Sequence, residues 1–222
     1  MSFPGARVIV AVDGPAGSGK STVSRLAAEK LGFLYLDTGA MYRAATWKVL
    51  NEGVNLNDKN AVSEIAGRMS IEFKDGRILV DGAYVTEQIR EPEVTKNVYL
   101  LADVPEVRRA MVVQQRRLGG KGGIVAEGRD IGTIVFPDAE IKIYLDASVK
   151  ERAGRRYREL KEKKFEVSLE KIEEEIAQRD YRDMNREIAP LRAAEGAVVL
   201  DTTNMGIEDV VNAILKIAIN HE

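Results

Sequence analysis

Residues 14–21 read Gly14-Pro15-Ala16-Gly17-Ser18-Gly19-Lys20-Ser21. This stretch fits the phosphate-loop pattern, in which Gly-x-x-x-x precedes Gly-Lys-Ser/Thr. The β-branched run 7–12 before it predicts a buried strand, and apolar residues at helical spacing from Thr22 to Leu31 predict a helix after it. A strand, a glycine loop and a helix in this order are the context that the motif requires, so the sequence predicts a nucleoside-triphosphate site.

The chemistry of this loop follows from its residue types. Glycines allow successive backbone N–H groups to point inward around an anion, and the start of the following helix adds its positive dipole end. Lys20 can reach the terminal phosphates, and the Ser21 hydroxyl is a candidate ligand for Mg²⁺. The predicted nucleotide-binding residues are Gly14, Pro15, Ala16, Gly17, Ser18, Gly19, Lys20, Ser21 and Thr22.

Composition limits the class of protein. The 222 residues suit one core domain with insertions, or two small domains. A net charge of −2 gives no case for a nucleic-acid partner, and the absence of cysteine excludes disulfides and cysteine-based metal sites. Because there is no apolar run of about 18 residues, nothing is expected to span a membrane. We expect a cytoplasmic monomer that binds neither nucleic acid nor a membrane.

Five short apolar runs separated by helical patterns predict a parallel α/β sheet, and they cover residues 7–12, 33–37, 124–126, 141–146 and 198–201. Ligands of such sheets bind beyond the carboxyl ends of the strands, where several acidic side chains and Arg129 are expected. Residues 70–85 differ, because short alternating runs and an Asp75-Gly76 turn predict a small antiparallel insertion.

Arginines are concentrated in the helix predicted over residues 150–164, namely at Arg152, Arg155, Arg156 and Arg158. One interpretation is a solvated helix with ion pairs at four-residue spacing. The alternative is a mobile lid whose guanidinium groups stabilise a transferring phosphoryl group, since this helix directly follows a strand end. Spacing alone does not separate the two.

A second helix, starting near Ser168, carries an apolar stripe that continues into charged residues. Its members at helical spacing are Leu169, Ile172, Ile176, Arg179, Asp183 and Arg186. An ion-pair ladder would normally lie on the solvent face, so we favour the wall of a polar pocket. Thr38, Tyr42 and Arg43 at a helix start, with Arg129 and Asp130 at a strand end, add cations for a second phosphate and polar groups for a base or sugar.

These motifs occur in the order found in bacterial cytidylate kinases, which the sequence resembles over nearly its whole length. The stretches that carry the resemblance are 14–22, 36–43 (Leu-Asp-Thr-Gly-Ala-Met-Tyr-Arg), 127–139 (Glu-Gly-Arg-Asp-Ile-Gly-Thr-Ile-Val-Phe-Pro-Asp-Ala), Arg179-Asp180 with Asp183 and Asn185-Arg186, and 189–191 (Ala-Pro-Leu). The 127–139 block is far more specific than the phosphate loop.

The resemblance implies phosphoryl transfer from ATP to CMP or dCMP with Mg²⁺. It implies a three-layer α/β/α phosphate-loop fold, with a core (1–38, 104–148, 169–222), a nucleoside-monophosphate-binding insertion (39–103) and an arginine-rich helical lid (149–168). Cytosine would contact Thr38, Arg108 and Asp130, and the acceptor phosphate would contact Arg43 and Arg129. Tyr42, Arg179, Asp183 and Arg186 would line the nucleoside site, and Lys20, Arg43, Arg129, Arg152, Arg155 and Arg156 would be catalytic.

Two points stay open from the sequence. Many members of the resembled family carry Gly where this chain has Ser21, so Mg²⁺ would be held either directly by that hydroxyl or through water. The alternatives for function are a kinase acting on another small acceptor, a GTP-dependent switch, and a structural or nucleic-acid-binding protein with a vestigial loop. The sequence lacks the Asn-Lys-x-Asp motif of a guanine-reading switch.

Overall fold

The computed structural model describes residues 8–74 and 76–220. Arg7 of the first predicted strand and Asp75 of the predicted hairpin turn lie outside the described residues. The chain forms two compact units, Met1–Leu36 with Lys121–Glu222, and Asp37–Gly120.

The described residues contain eight strands and eight α-helices. The strands are β1 (Ile9–Asp13), β2 (Leu34–Asp37), β3 (Ile71–Lys74), β4 (Arg77–Val80), β5 (Ala83–Tyr84), β6 (Ile124–Gly128), β7 (Ile141–Asp146) and β8 (Val198–Asp201). The helices are α1 (Lys20–Leu31), α2 (Thr38–Asn51), α3 (Lys59–Arg68), α4 (Pro92–Ala102), α5 (Pro105–Gly119), α6 (Val149–Glu162), α7 (Leu169–Asn185) and α8 (Ile207–Ile219). A 3₁₀ turn (Gln88–Arg90) and a π-helical turn (Ile131–Val135) complete the set.

A five-stranded parallel sheet with the order β2-β6-β1-β7-β8 organises the first unit. Its central strands are rich in β-branched residues and are buried, as expected of strands covered on both faces. Helices α1 and α8 pack on this sheet through Val23, Ala27, Leu31, Val210, Val211 and Ile214. In the sheet register Asp13 lies beside Gly128, which brings the carboxyl ends of β1 and β6 together.

Serine residues cap both helices that follow the sheet strand β7. The Ser148 hydroxyl accepts a hydrogen bond from the Glu151 N–H at the start of α6, and the Ser168 hydroxyl does so from Lys171 at the start of α7. The two helices pack through a small apolar cluster that contains Ala153, Ile172, Ile176, Tyr157 and Leu160. The expected lid, 149–168, is therefore α6 with the connection that leads into α7.

The second unit contains an antiparallel sheet in the order β3-β4-β5 and helices α2 to α5. This confirms the small antiparallel strands predicted over 70–85. Helix α5 packs against α2, α3 and α4, so it belongs to this unit. The unit ends at Gly120, whereas the sequence analysis placed the end of the insertion at residue 103.

The α/β fold with a five-stranded parallel sheet is confirmed, and two local details differ from expectation. Helix α7 ends at Asn185, and Arg186 follows it in an extended conformation, so Arg186 does not continue the helical stripe. The π-helical turn after β6 was not predicted. Among the described helices, none has the length and apolarity needed to cross a membrane.

Candidate active site

The phosphate loop connects β1 to α1, as predicted. Gly14, Gly17 and Gly19 have backbone φ angles of 151°, 76° and 89°, which residues other than glycine rarely adopt. At Gly14 a Cβ atom would lie 2.1 Å from the backbone oxygen of Leu145, so only glycine fits beside the end of β7. The glycines of the motif are therefore needed for both the path and the packing of the loop.

Lys20 lies at the first position of α1 and is 5% exposed. Its Nζ donates hydrogen bonds to Pro15 O (2.7 Å) and Ser18 Oγ (3.3 Å). Burial lowers the pKa of Lys20 from 10.5 to about 7, and the nearby cations of Arg129 and Arg179 act in the same direction. A polyanion bound at the loop would relieve this repulsion, which fits the expected role of Lys20 toward phosphates.

Asp13, at the end of β1, holds the turn that follows β6. Its two carboxylate oxygens accept hydrogen bonds of 2.8 Å from the N–H groups of Ile131 and Gly132. Burial nevertheless raises the pKa of Asp13 from 3.8 to about 6. The π-helical turn is thus anchored by a residue far away in sequence, and this anchor lies next to the segment that carries Arg129 and Asp130.

Arg129 and Asp183 form a partly buried ion pair. Arg129 Nε lies 2.8 Å from Asp183 Oδ2, and each side chain is about one-fifth exposed. Burial opposes both charges, but the carboxylate raises the pKa of Arg129, and the guanidinium lowers the pKa of Asp183. Arg179 and Arg186 also lower the pKa of Asp183, so this carboxylate is surrounded by cations.

The charged residues at the end of α7 pair with residues of another segment of the chain. An Arg179–Asp183–Arg186 ladder along the helix was one of the two interpretations of the stripe. In the structure Asp183 pairs instead with Arg129. Arg186, which lies beyond the end of α7, donates from Nε to Ala189 O (2.5 Å), and its Nη2 lies 3.8 Å from Asp130 Oδ1. The first unit thus brings Arg129, Asp130, Arg179, Asp183 and Arg186 together near Lys20.

Ser21 lies beside an acidic residue that the sequence analysis did not place in the site. The Ser21 hydroxyl donates to Glu127 Oε1 at 2.6 Å, and the Tyr35 hydroxyl donates to the same oxygen at 3.2 Å. Glu127 is buried near the end of β6, the strand next to β1. The sequence feature that could have indicated a role for Glu127 is its position at the end of a buried strand, directly before Gly128-Arg129-Asp130.

The four arginines of α6 have different environments. Arg152 is 4% exposed and bonds to main-chain and carboxylate oxygens of the first unit, so its guanidinium is not in solvent as a mobile lid residue would be. Arg155 donates to Ser18 O (3.3 Å) and Thr202 Oγ1 (3.1 Å). Arg156 and Arg158 are more exposed and pair with glutamates of the same helix, as the solvated-helix interpretation predicts.

Four of the predicted acceptor-site residues lie in the second unit. Asp37 caps α2 by accepting from Ala40 N (2.7 Å), and it pairs with Arg43 at 3.0 Å. The Arg108 guanidinium lies 5.7 Å from the centre of the Tyr42 ring and donates to Ala102 O at 3.1 Å. Thr38 is buried at the start of α2. The second unit thus contains four residues that the sequence analysis assigned to the acceptor, three at the start of α2 and Arg108 on α5.

Asp180 is a buried acid to which the sequence analysis gave no role in the site. It pairs with Arg152 at 2.6 Å and is 6% exposed. Asp180 follows Ile172 and Ile176 at four-residue steps, so it lies on the buried stripe of α7. An acid at such a position is the signal that identifies a buried ion pair.

Comparison with known proteins agrees with this geometry. A model of the cytidylate kinase family matches residues 10–220. The cytidylate kinase of Bacillus velezensis is 50% identical over 215 residues, which cover 95% of this chain and 96% of the relative. The cytidylate kinase of Bacillus subtilis is 49% identical over 214 residues, with the same two coverages.

Longer relatives also match. The bifunctional pantoate ligase/cytidylate kinase of Trichodesmium erythraeum is 51% identical over 213 residues, which cover 94% of this chain and 40% of the relative. The chain thus spans less than half the length of that bifunctional protein. The family model matches nearly the whole chain, including the phosphate loop, the Arg129–Asp183 pair and the start of α2, and so the chain belongs to the cytidylate kinase family.

Proposed function

We propose that the protein transfers the terminal phosphoryl group of ATP to CMP or dCMP and so forms ADP and CDP or dCDP. The observation that carries this proposal is the cluster in the first unit, where buried Lys20 of the phosphate loop lies among the cations Arg129 and Arg179. Cations next to a phosphate loop suit a reaction between two phosphorylated molecules. Family membership names the acceptor.

The donor is bound by the loop and by α6. The N–H groups of residues 14–22 and the Lys20 ammonium bind the phosphates of ATP. Residues 149–168 form the lid, and Arg155 and Arg156 are its candidates for contact with the phosphates. Arg155 is the stronger candidate, because it already contacts the loop at Ser18 O.

The roles of the residues that bind the acceptor follow the resemblance to the cytidylate kinase family. Arg43 and Arg129 bind the acceptor phosphate, and Thr38, Arg108 and Asp130 bind the cytosine. Tyr42, Arg179, Asp183 and Arg186 bind the rest of the nucleoside, with the carboxylate of Asp183 as acceptor for a sugar hydroxyl. The ion pairs of Arg129 with Asp183 and of Arg43 with Asp37 support this assignment, because each fixes an arginine in one orientation before a ligand arrives.

Mg²⁺ fits the oxygen donors beside the loop. The described residues contain no group of three or more acidic, histidine or cysteine side chains that could hold a metal ion by themselves. Mg²⁺ commonly binds through one or two protein oxygens, substrate phosphates and water. Ser21 Oγ and Glu127 Oε1, 2.6 Å apart, are such oxygens, and we assign them to the ion directly or through water. When bound, Mg²⁺ neutralises charge on the phosphates of ATP.

The reaction needs little covalent chemistry from the protein. The CMP phosphate is already a nucleophile, so no general base is required. Lys20 and the lid arginines stabilise the transferring group, while Arg43 and Arg129 offset the charge of the acceptor phosphate and align it. Closure of the lid would exclude water and limit hydrolysis of ATP.

The expectations of a cytoplasmic location, a monomeric state and no nucleic-acid or membrane partner belong to this proposal. They fit a small-molecule enzyme with a net charge of −2. Sedimentation velocity of the purified protein with and without nucleotides tests the monomeric state.

Arg129→Ala tests the site. Loss of this guanidinium removes a cation at the acceptor phosphate and leaves Asp183 without its partner. We expect CMP phosphorylation to fall at least about a hundredfold, the size of effect seen when a positioned charge is removed from a transition state. Circular dichroism checks that the variant is folded.

Arg109→Ala is the matched control, because Arg109 is a largely exposed arginine of α5 that pairs with Glu106 three residues earlier. It should leave the rate within about twofold, as exposed pairs contribute little. Near-normal turnover of Arg129→Ala would contradict the assignment.

A further inference from the structure

Arg152 and Asp180 form a buried ion pair between helices α6 and α7. Arg152 lies near the start of α6, and Asp180 lies in the C-terminal half of α7. Arg152 Nη1 is 2.6 Å from Asp180 Oδ2, and the two side chains are 4% and 9% exposed. A buried pair of this kind is retained at a cost in desolvation, so its other contacts indicate what it does.

Those contacts converge on the backbone of one residue of the phosphate loop, Ala16. Arg152 Nη1 donates to Ala16 O at 2.9 Å, and Ala16 N donates to Asp180 Oδ1 at 3.4 Å. The pair therefore binds both the carbonyl and the N–H of the same residue. Arg152 Nε also donates to Ala147 O at 2.8 Å, which fixes the guanidinium to the end of β7.

The next residue of the loop packs tightly on the same two helices. A Cβ atom at Gly17 would lie 3.2 Å from Arg152 Cβ and 3.6 Å from Ile176 Cδ1. Gly17 also has a φ angle of 76°. The Ala16–Gly17 segment is thus held by hydrogen bonds on one residue and by close packing on the next.

On the basis of the proposed function, we propose that Arg152 and Asp180 are positioning residues for ATP, which hold the backbone of Ala16 so that the phosphate loop presents its N–H groups to the triphosphate in a fixed geometry. Arg152 has this role in place of the direct phosphate contact that the sequence suggested. Its buried guanidinium already bonds to Ala147, Ala16 and Asp180, whereas Arg155 and Arg156 are more accessible.

The proposal makes a distinction between the two substrates. The hydrogen bonds of the pair go to Ala16 of the donor loop and to Ala147. Asp180 acts on Arg129 of the acceptor site through its charge. Disturbing the pair should therefore weaken the binding of ATP much more than the binding of CMP.

Asp180→Asn leaves the Arg152 guanidinium buried without its carboxylate. Arg152→Lys has a single nitrogen in place of the Nε and Nη1 that bond to Ala147 O and Ala16 O. Each single substitution should therefore disturb the backbone of Ala16 about as much as the double substitution does.

Steady-state kinetics of Arg152→Lys, Asp180→Asn and the double variant test this. Each single variant should raise the KM for ATP at least about tenfold, because a misplaced loop loses aligned contacts. The KM for CMP should stay within about twofold. The double variant should be no worse than the poorer single variant. Lys163→Gln is the control, because it removes an exposed ion pair with Glu159 on α6 without touching the loop.

Three outcomes would overturn the proposal. Near-normal kinetics of Asp180→Asn beside a severe defect of Arg152→Lys would indicate direct phosphate contact by Arg152. Equal increases in the KM for ATP and for CMP would indicate a general loss of structure. Lower melting temperatures, with unchanged KM values in assays run well below those temperatures, would indicate a role in stability alone.

If Asp180→Asn does not fold, a second measurement on Arg152→Lys tests the proposal. Arg152→Lys keeps a positive charge beside Asp180, so it is the milder change. Hydrogen exchange at the Ala16 amide, followed by NMR, should be slow in the wild-type protein and at least about tenfold faster in Arg152→Lys, because that amide donates to Asp180. Unchanged exchange would contradict the proposal.

Discussion

Lys20 is a buried cation among other cations. Burial and the neighbouring Arg129 and Arg179 lower its pKa to about 7, although Glu127 and Asp13 oppose the shift. In the free protein its ammonium donates to a carbonyl and a hydroxyl of its own loop. The site is therefore arranged so that a bound polyanion, and not the fold alone, completes the charge balance.

Proton uptake on ATP binding follows from this state. Bound triphosphate should raise the pKa of Lys20 from about 7 back toward 10.5, so the complex holds a proton that the free protein has partly lost. ATP affinity should then fall as the pH rises from about 7 to 10. Calorimetry at pH 8 in two buffers of different ionisation enthalpy should detect uptake of a fraction of a proton.

Lys20→Arg is the matched variant for this experiment, since a guanidinium stays charged at pH 8. It should show no uptake at this position. A wild-type protein that binds ATP at pH 8 without uptake, or with proton release, would contradict the lowered pKa.

Asp13 connects two elements, strand β1 and the π-helical turn after β6. Both of its oxygens accept backbone hydrogen bonds from the turn, yet burial raises its pKa to about 6. Between pH 3.8 and about 6 the unfolded chain has released this proton while the folded protein keeps it. Stability contributed by Asp13 therefore decreases as the pH rises through this window.

Asp13→Asn isolates this contribution, because an amide does not titrate. The free energy of unfolding of the wild-type protein, relative to that of Asp13→Asn, should decrease between pH 4 and pH 6.5 by up to about 3 kcal/mol, the equivalent of roughly two pKa units. Urea denaturation of both proteins at several pH values measures it. A constant difference, or one that changes in the opposite direction, would show that Asp13 is not protonated preferentially in the folded state.

Elements with a clear hydrophobic period were predictable from the sequence. Strands β7 and β8 have the bounds that their apolar patterns indicate, and Asp37 before Thr38 caps α2 where a helix start was expected. The π-helical turn was not predictable, because it depends on hydrogen bonds to Asp13, which is more than a hundred residues earlier. The end of α7 before Arg186 depends likewise on the contacts of Arg186 with the following segment.

For the candidate site as well, the sequence predicted what local patterns determine and did not predict what depends on distant contacts. Lys20, Arg43, Arg129 and Asp183 were predicted as site residues from the sequence, since each lies in a stretch whose residue types suit phosphates or sugars. The partners of these residues were not found, because pairs such as Arg129–Asp183 and Arg152–Asp180 join distant parts of the chain. Helical spacing placed Asp183 on the correct helix but suggested neighbours on that helix as its partners.

At the scale of the whole molecule, each of the two compact units contains predicted site residues. The first holds the phosphate loop, Arg129, Asp130 and the charged end of α7, and the second holds Thr38, Tyr42, Arg43 and Arg108. The chain spans nearly the full length of the Bacillus cytidylate kinases and 40% of a bifunctional relative. An activity assay of this chain alone therefore tests the account as a whole.

The most direct measurement is ADP formation from ATP and Mg²⁺ with CMP, dCMP, UMP, AMP, GMP or no acceptor. The account predicts activity with CMP and dCMP, and little without an acceptor, because the arginines align an acceptor phosphate and closure excludes water. Activity with AMP or GMP in place of CMP would contradict the assignment of Thr38, Arg108 and Asp130 to cytosine. Equal turnover with no acceptor would contradict phosphoryl transfer to a nucleotide.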